Sequence, residues 1–412
     1  RCFYCDFPIH VVGEAPGAAA AAAEAYGDLL GREMSVVAGA FGDSIRACGG
    51  LETVYFGGGT PSLAPPAVVA GVLSQLDAHF GIRQGAEVTL EMDPGTFDKE
   101  SLEAFIQAGV NRISLGVQSF SNEVLDVAGR AHSATDVQVA IAEVARALER
   151  VPGSSWSMDL ISGLPGQTQD TWHETLQAAL SHRPHHVSVY DLQIEPGTAF
   201  GRWATTGSLA FPSDDAAVAS YKLASRVLRE AGYEHYEVSN YALRGRPRAD
   251  SEEESPSEFR SRHNTCYWAR APFLAFGQGA ASYLGGARVS RPGKLAEYKD
   301  WLEDLETQGP QLVLSDPNAG TLTQREASLD QFLEHVMLAL RTSDGLSLAE
   351  LHSTYGPKVC ECVVEAAGAF KSQGLVHRTG PPHDIRLALT DPEGFLVSND
   401  VISSILNAVE ED

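Results

Sequence analysis

Two cysteines open the chain two residues apart, in RCFYCDF. Thiolates at this spacing serve as a redox pair, as half of a metal site, or as part of a longer cysteine motif. The spacing alone leaves all three open. Further on, GGGTPS (57–62) follows an apolar run. Its glycines let the backbone approach a ligand closely and leave peptide N–H groups free to point at it. A tight strand-to-helix turn with Pro61 near the helix start fits the same letters. The loop lacks the GK[ST] ending of a phosphate loop, so triphosphate binding is not favoured. Four polar residues fall at comparable places: Glu91, Gln118 and Asp159 close apolar runs, and Arg130 follows soon after such a loop. Together they offer acceptors for hydroxyls and an amine, and a cation for a carboxylate. That is a pocket for a zwitterionic, nucleoside-like molecule.

Those residues need a frame that brings them to one end. LETVYF, EVTLEM, RISLGVQ, SWSMDLISG and HHVSVYDLQ alternate with helical segments such as PPAVVAGVLSQLDAHF and ATDVQVAIAEVARALER. Strand, loop and helix repeat without hairpin signals, which predicts βαβ units and a parallel sheet, apolar on both faces. Ligands in such sheets sit at the C-terminal strand ends. Five strands are visible, and a sixth is expected upstream of Arg1. The fold class is α/β, a partial (β/α)6 barrel.

The alanine-rich stretch after the cysteines predicts a solvated helix without chemistry. Past residue 210 the rhythm breaks. YEHYEVSNYA reads as one further strand, and the Ser/Glu/Pro-rich 244–259 reads as a solvated insertion without fixed structure. From 320 the text is helical, and IRLALTDPEGFLVSNDVISSIL predicts two short strands about a turn and a last helix, a winged-helix-like module. The expected domains are 1–210, 211–319 and 320–412.

Composition excludes several classes. The formal net charge is −24, from 54 acidic and 30 basic residues, so phosphate backbones, and hence nucleic acid, are not expected partners. In 320–412 acidic side chains outnumber basic ones more than twofold, which argues against DNA binding by the winged-helix-like part. No run approaches ~18 apolar residues, so no transmembrane segment is expected. Six sparse cysteines fit a reducing compartment rather than a disulfide scaffold. The start on Arg1, inside a motif, predicts that opening residues and any targeting segment lie upstream.

GGGTPS, EMDPGT, NRISLGVQSF, GRAHS, MDLISGLPGQT, HVSVYDLQIEPGTAF, YEVSNYA and HNTCYW occur in this order. With them the chain resembles the HemN/HemW branch of the radical S-adenosylmethionine (SAM) proteins, closely over about 1–300 and more loosely beyond. The family motif is CxxxCxxC, whose thiolates hold a [4Fe–4S] cluster that chelates SAM. The resemblance makes Cys2 and Cys5 its second and third cysteines and puts the first upstream of Arg1. It implies Tyr4 near the adenine and Gly58, Gly59 and Thr60 against the methionyl end. Glu91, Gln118, Arg130 and Asp159 become SAM contacts, with Gln193 a further one. With two of three thiolates, the chain as it stands is expected to hold a cluster poorly.

Porphyrinogen dehydrogenases of this branch carry a fourth cysteine, where this sequence has Phe7 after Cys5 and Asp6. That is the HemW pattern, and it implies a haem chaperone serving haem-receiving proteins. Coproporphyrinogen oxidation is the alternative, and a degenerate scaffold for protein interaction is a third reading. The resemblance makes His263 the candidate haem ligand, with Tyr267, Trp268, Phe273 and Phe276 as apolar faces for the macrocycle. Cys266 reads as a small buried residue, and Cys360 and Cys362 as packing residues. A homodimer and a cytoplasmic or organellar location complete the expectation. The sequence departs from the family at Gln278 and Ala281, where proline and histidine are common, and so puts any role of that histidine in doubt.

Overall fold

A computed structural model describes residues 2–8, 17–245, 256–314 and 324–410. Most of the expected 244–259 insertion lies outside the described residues. The frame is five parallel strands: β1 (Leu51–Phe56), β2 (Ile82–Met92), β3 (Arg112–Gln118), β4 (Ser155–Ser162) and β5 (His186–Asp191). Each pairs with its neighbour in chain order, so the sheet curls into a half-barrel. Crossover helices Lys99–Gln107, Ala134–Leu148 and Gln169–Ser181 each begin at a capping box, on Asp98, Ser133 and Thr168. The cap side chain and the third helical residue satisfy each other's backbone N–H, which fixes where each helix leaves its loop. Val72, Leu76, Phe105, Ile141 and Trp172 on the helices share one core with Leu90, Ile113, Leu115, Met158 and Leu160 on the strands.

Only that outer strand face is apolar. Inside, Thr53 and Tyr55 lie beside Glu87, Thr89 and Glu91, then Arg112 and Ser114, Ser157 and Asp159, and His186 and Ser188, in register across the sheet. The expectation of strands apolar on both faces is therefore corrected. These polar groups are sustained because they bond one another: Ser114 Oγ meets Ser157 Oγ at 2.8 Å and donates to Asp159 Oδ2 at 2.9 Å.

YEHYEVSNYA forms two strands rather than one, β6 (Tyr233–Glu237) and β7 (Asn240–Leu243), with only Val238 and Ser239 between them. β7 sits between β5 and β6 in the seven-stranded sheet and pairs antiparallel with both, so β6 again runs in the direction of the first five strands. The partial-barrel expectation holds. A short antiparallel pair, β8 (Ala281–Leu284) and β9 (Ala287–Ser290), lies beyond the helix Arg262–Trp268.

The alanine-rich segment forms the helix Ala18–Ala47, and it is not simply solvated: Leu29, Glu33, Met34 and Val37 are buried. Glu33 is fully enclosed, accepting from Arg291 Nε at 2.9 Å, Tyr298 Oη at 2.6 Å and the Gly277 N–H at 2.9 Å.

Toward the C-terminus, helices Gln324–Leu340, Leu348–Tyr355 and Pro357–Ser372 gather around a second core with Leu346, Leu387, Leu389 and Ile405. Its sheet orders β10 (Leu346–Ser347), β12 (Arg386–Leu389) and β11 (Val376–Thr379) antiparallel. The wing hairpin thus turns at 380–385, one strand earlier than expected. The stretch after Leu389 is helical (Glu393–Leu396, Ser398–Glu410), because Asp391-Pro392 ends the strand. Among the described residues no helix is long and apolar enough to cross a membrane.

Candidate functional site at the strand C-termini

The Cys2–Cys5 turn closes with the Cys5 N–H on the Cys2 carbonyl at 3.3 Å. Phe3 fastens it to the barrel. Its N–H donates to Ala128 O at 3.0 Å, and its carbonyl accepts from Phe200 N at 2.9 Å. The Phe3 ring lies edge-on to Trp203, 4.9 Å between centroids, and over Gly129. Gly129 has φ +70°, and a Cβ there would fall 2.8 Å from the ring. Only glycine meets both conditions.

Arg130 follows that glycine and joins the turn to the pocket. Its Nη1 lies 3.1 Å from Cys2 Sγ and 3.3 Å from Tyr4 Oη, while Nη2 donates to Asp93 Oδ1 at 2.5 Å and to the Gly116 carbonyl at 3.0 Å. Burial raises the Tyr4 phenol well above its ordinary range, so it stays a neutral hydrogen-bonding group. Arg130 therefore contacts both Cys2 and Tyr4, and no disulfide involves any of the six cysteines.

Gly116 opens the floor beside them. A Cβ there would come within 2.6 Å of Asp93 Oδ1, 3.1 Å of Gln118 Nε2 and 3.5 Å of Arg130 Nη2. Three polar side chains thus converge over one absent side chain. Gln118 reaches this point with φ +66°, costly for a residue bearing a Cβ, at the irregularity where β3 slips against β4.

Glu91 sits on the other side of the mouth. Tyr55 Oη donates to Oε1 at 2.8 Å and Gly58 N to Oε2 at 3.1 Å. Burial, with the Asp159 charge adding to it, pushes Glu91 up to about 7. Asp159 is raised in the same direction, chiefly by burial, against the lowering effect of the Ser188 and Ser114 hydroxyls. A Cβ at Gly58 or Gly59 would meet nothing within 4 Å, so this loop borders open space. Thr60 stands next to it, before the short 3-10 turn Pro61–Leu63. Gln193 lies two residues past β5, exposed to solvent.

Two buried atoms in the mouth have no protein partner: Asp159 Oδ1 and Arg130 Nε. An acceptor and a donor left unpaired around an open cradle fit a polar ligand that brings both kinds of group. Soft thiols at Cys2 and Cys5 fit iron–sulfur ligation as far as two ligands go. Among the described residues no group of three or more His, Cys, Asp or Glu side chains could hold a metal ion.

His263 comes from the helix Arg262–Trp268, whose first N–H groups are held by Glu87: Arg262 N at 3.2 Å and His263 N at 3.0 Å. Its ring stacks on Tyr55 with centroids 4.8 Å apart and 23° between planes. Nδ1 meets Thr53 Oγ1 at 2.9 Å and Nε2 meets Tyr267 Oη at 2.7 Å. Burial lowers His263 to about 4, so the imidazole is neutral. Tyr267 and Phe273 meet edge-to-face at 4.5 Å, but Phe276 turns away to pack near Phe80. Burial raises the Cys266 thiol, in keeping with a packing role. His186 lies inside the barrel, its Nε2 meeting Tyr236 Oη at 2.9 Å.

Asp93 and Tyr55 are the site residues that sequence reasoning missed. Asp93 was available in EMDPGT, two positions from Glu91, and Tyr55 in LETVYF, in phase with Thr53.

The radical SAM superfamily profile matches residues 1–179. The chain is similar to the haem chaperone HemW of Synechocystis sp., 37% identical over 423 aligned residues that take in 100% of this chain and 95% of that protein. It is 35% identical over 303 residues to the mitochondrial radical S-adenosyl methionine domain-containing protein 1 of Danio rerio, covering 72% of this chain and 62% of that one. Among solved structures, the coproporphyrinogen III oxidase HemN of Escherichia coli superposes with a TM-score of 0.70 at 19% identity, covering 99% of this chain and 86% of that one. That last likeness is one of fold.

Proposed function

Because the chain belongs to the HemW family of radical SAM proteins, we propose that it is a haem chaperone that binds a [4Fe–4S] cluster, SAM and haem. The observation that carries this reading is the end-to-end likeness to a haem chaperone, which includes the C-terminal part. Phe7 supports it, since the resemblance gives porphyrinogen dehydrogenases a cysteine there.

Cys2 and Cys5 would supply thiolates to the cluster, which when bound provides one-electron chemistry. Arg130 sets a positive charge against the Cys2 sulfur and, with Gln118, faces the cradle at Gly116. There it would hold a carboxylate. Glu91 and Asp159 would take amine or hydroxyl groups, with Gly58, Gly59 and Thr60 along the methionyl end, Tyr4 beside the adenine and Gln193 at the rim. His263 would hold haem iron through Nε2, the nitrogen now facing Tyr267. Haem-receiving proteins are the proposed partners, in a reducing cytoplasmic or organellar compartment.

Anaerobic reconstitution of the full-length protein with iron and sulfide, haemin titration, and a SAM-cleavage assay with coproporphyrinogen III test this reading together. Haem binding without porphyrinogen turnover is expected. Turnover would establish the enzyme instead, and absence of haem binding would remove the chaperone. His263→Ala is expected to weaken haem binding, and an unchanged titration would remove His263 as its ligand.

A further inference from the structure

We propose that Tyr55 is a positioning residue that couples the barrel-mouth pocket to His263, so that a ligand on Glu91 tightens haem binding; this rests on the haem and SAM reading above. Tyr55 has two contacts, one at each site. Its hydroxyl donates to Glu91 Oε1 at 2.8 Å, and its ring stacks on the His263 imidazole at 4.8 Å. A single side chain therefore separates the pocket carboxylate from the histidine.

The contacts use different parts of the histidine. Stacking takes a ring face, whereas metal ligation takes the in-plane lone pair of Nε2, so the stack can persist when that nitrogen is occupied. Thr53, two residues before Tyr55 on the same face of β1, meets Nδ1 at 2.9 Å. One strand thus sets both the plane and the far edge of the imidazole. Gly57 packs close beside the Tyr55 ring, since a Cβ there would fall 2.7 Å from Tyr55 Cε1 and 3.1 Å from Glu91 Oε1.

Glu91 is the pocket end of this relay. Among the described residues its hydrogen-bond donors are the neutral Tyr55 Oη and Gly58 N. A cationic or hydroxylic ligand that engages it fixes the carboxylate, and through the hydroxyl bond it fixes the tyrosine. His263 is then presented in one orientation, and haem pays less ordering cost on binding. By linkage, haem must raise the affinity for the pocket ligand by the same factor.

The test is haemin titration of the reconstituted full-length protein, followed by the Soret band, with and without saturating SAM and with no reductant. Wild type is expected to bind haem about fivefold more tightly with SAM, at the lower end of measured coupling between sites. Tyr55→Phe keeps the stack and loses the hydroxyl. It should bind haem equally well with and without SAM. The reciprocal measurement, SAM affinity with and without haemin, should show the same factor in wild type and none in the variant. A Tyr55→Phe protein that keeps the SAM effect, or a wild type that binds haem without one, overturns the coupling and leaves the chaperone reading intact. A wild type that binds no haem removes both.

Discussion

Asp93 Oδ1 lies 2.5 Å from Arg130 Nη2, and this pair aims the other guanidinium nitrogen at Cys2 Sγ, 3.1 Å away. The arginine is almost fully enclosed, with 6% of its side chain exposed, against 28% for the aspartate. Removing the carboxylate strands a buried charge. Asp93→Ala is expected to cost about 3–5 kcal/mol in urea unfolding. Asp93→Asn, which keeps an acceptor oxygen, should cost less. Equal stability of Asp93→Ala and wild type would show that the pair does not hold Arg130.

Gly129 carries the Cys2–Cys5 turn through the Phe3 ring. Gly129→Ala combines an unfavourable φ with a clash against that ring, and the expected loss is about 1–3 kcal/mol. The more specific outcome concerns the thiols. Once Phe3 is displaced, Cys2 and Cys5 should react faster with a thiol-exchange reagent, while exposed Cys48 reacts as before. Unchanged rates at all three would mean that the turn is held elsewhere.

Glu91 makes stability depend on pH with a definite sign. Its folded pKa, about 7, lies above the ordinary value of 4.5. Between those values the unfolded chain has released the proton and the folded one has kept it, so stability falls as pH rises through this window. Glu91→Gln should flatten the Tm profile between pH 5 and pH 8, a change on the order of 2 kcal/mol across that range. Part of the slope will remain, because burial pushes Glu237 up to about 7 as well. Superimposable profiles for variant and wild type would contradict the placement of Glu91.

These residues differ in how openly the sequence displayed them. Glu91 and Gln118 could be picked out because a polar letter closing an apolar run has few structural uses, and parallel strands bring such letters to one end. Asp159, expected at a strand end, lies mid-strand instead, with Leu160, Ile161 and Ser162 after it in β4, and belongs to the polar inner face. The polar inner face was equally visible in EVTLEM, where Glu87, Thr89 and Glu91 alternate with Val88, Leu90 and Met92. Counting each run as simply apolar hid it. Asp93 was masked by the turn chemistry of Asp-Pro-Gly, which accounts for an aspartate without any ion pair. Tyr55 passes for an ordinary strand aromatic, since its partner His263 is 208 positions away and no local signal joins them. The β6–β7 hairpin was missed because Val-Ser carries none of the glycine or asparagine that marks a two-residue turn.

Glu33 is the residue whose role the sequence hid most completely, as an acid in a helix that reads as solvated. Neither it nor Arg291 has any side-chain exposure, and their 2.9 Å pair ties the helix Ala18–Ala47 to the segment after β9. Tyr298 Oη and the Gly277 N–H fill the other carboxylate oxygen, and Arg291 also donates to Ser282 Oγ at 2.7 Å and Val289 O at 3.0 Å. Glu33→Ala leaves the guanidinium buried without its counter-charge and should cost about 3–5 kcal/mol. A Glu33→Met, Arg291→Met double variant removes both charges and refills the volume. It should recover most of that loss, because well-packed apolar groups often replace a buried pair at little cost. Urea unfolding of the singles and the double measures the coupling directly. If the double variant is no more stable than Glu33→Ala, the hydrogen bonds from Tyr298 and Gly277, rather than the ion pair, hold the helix in place.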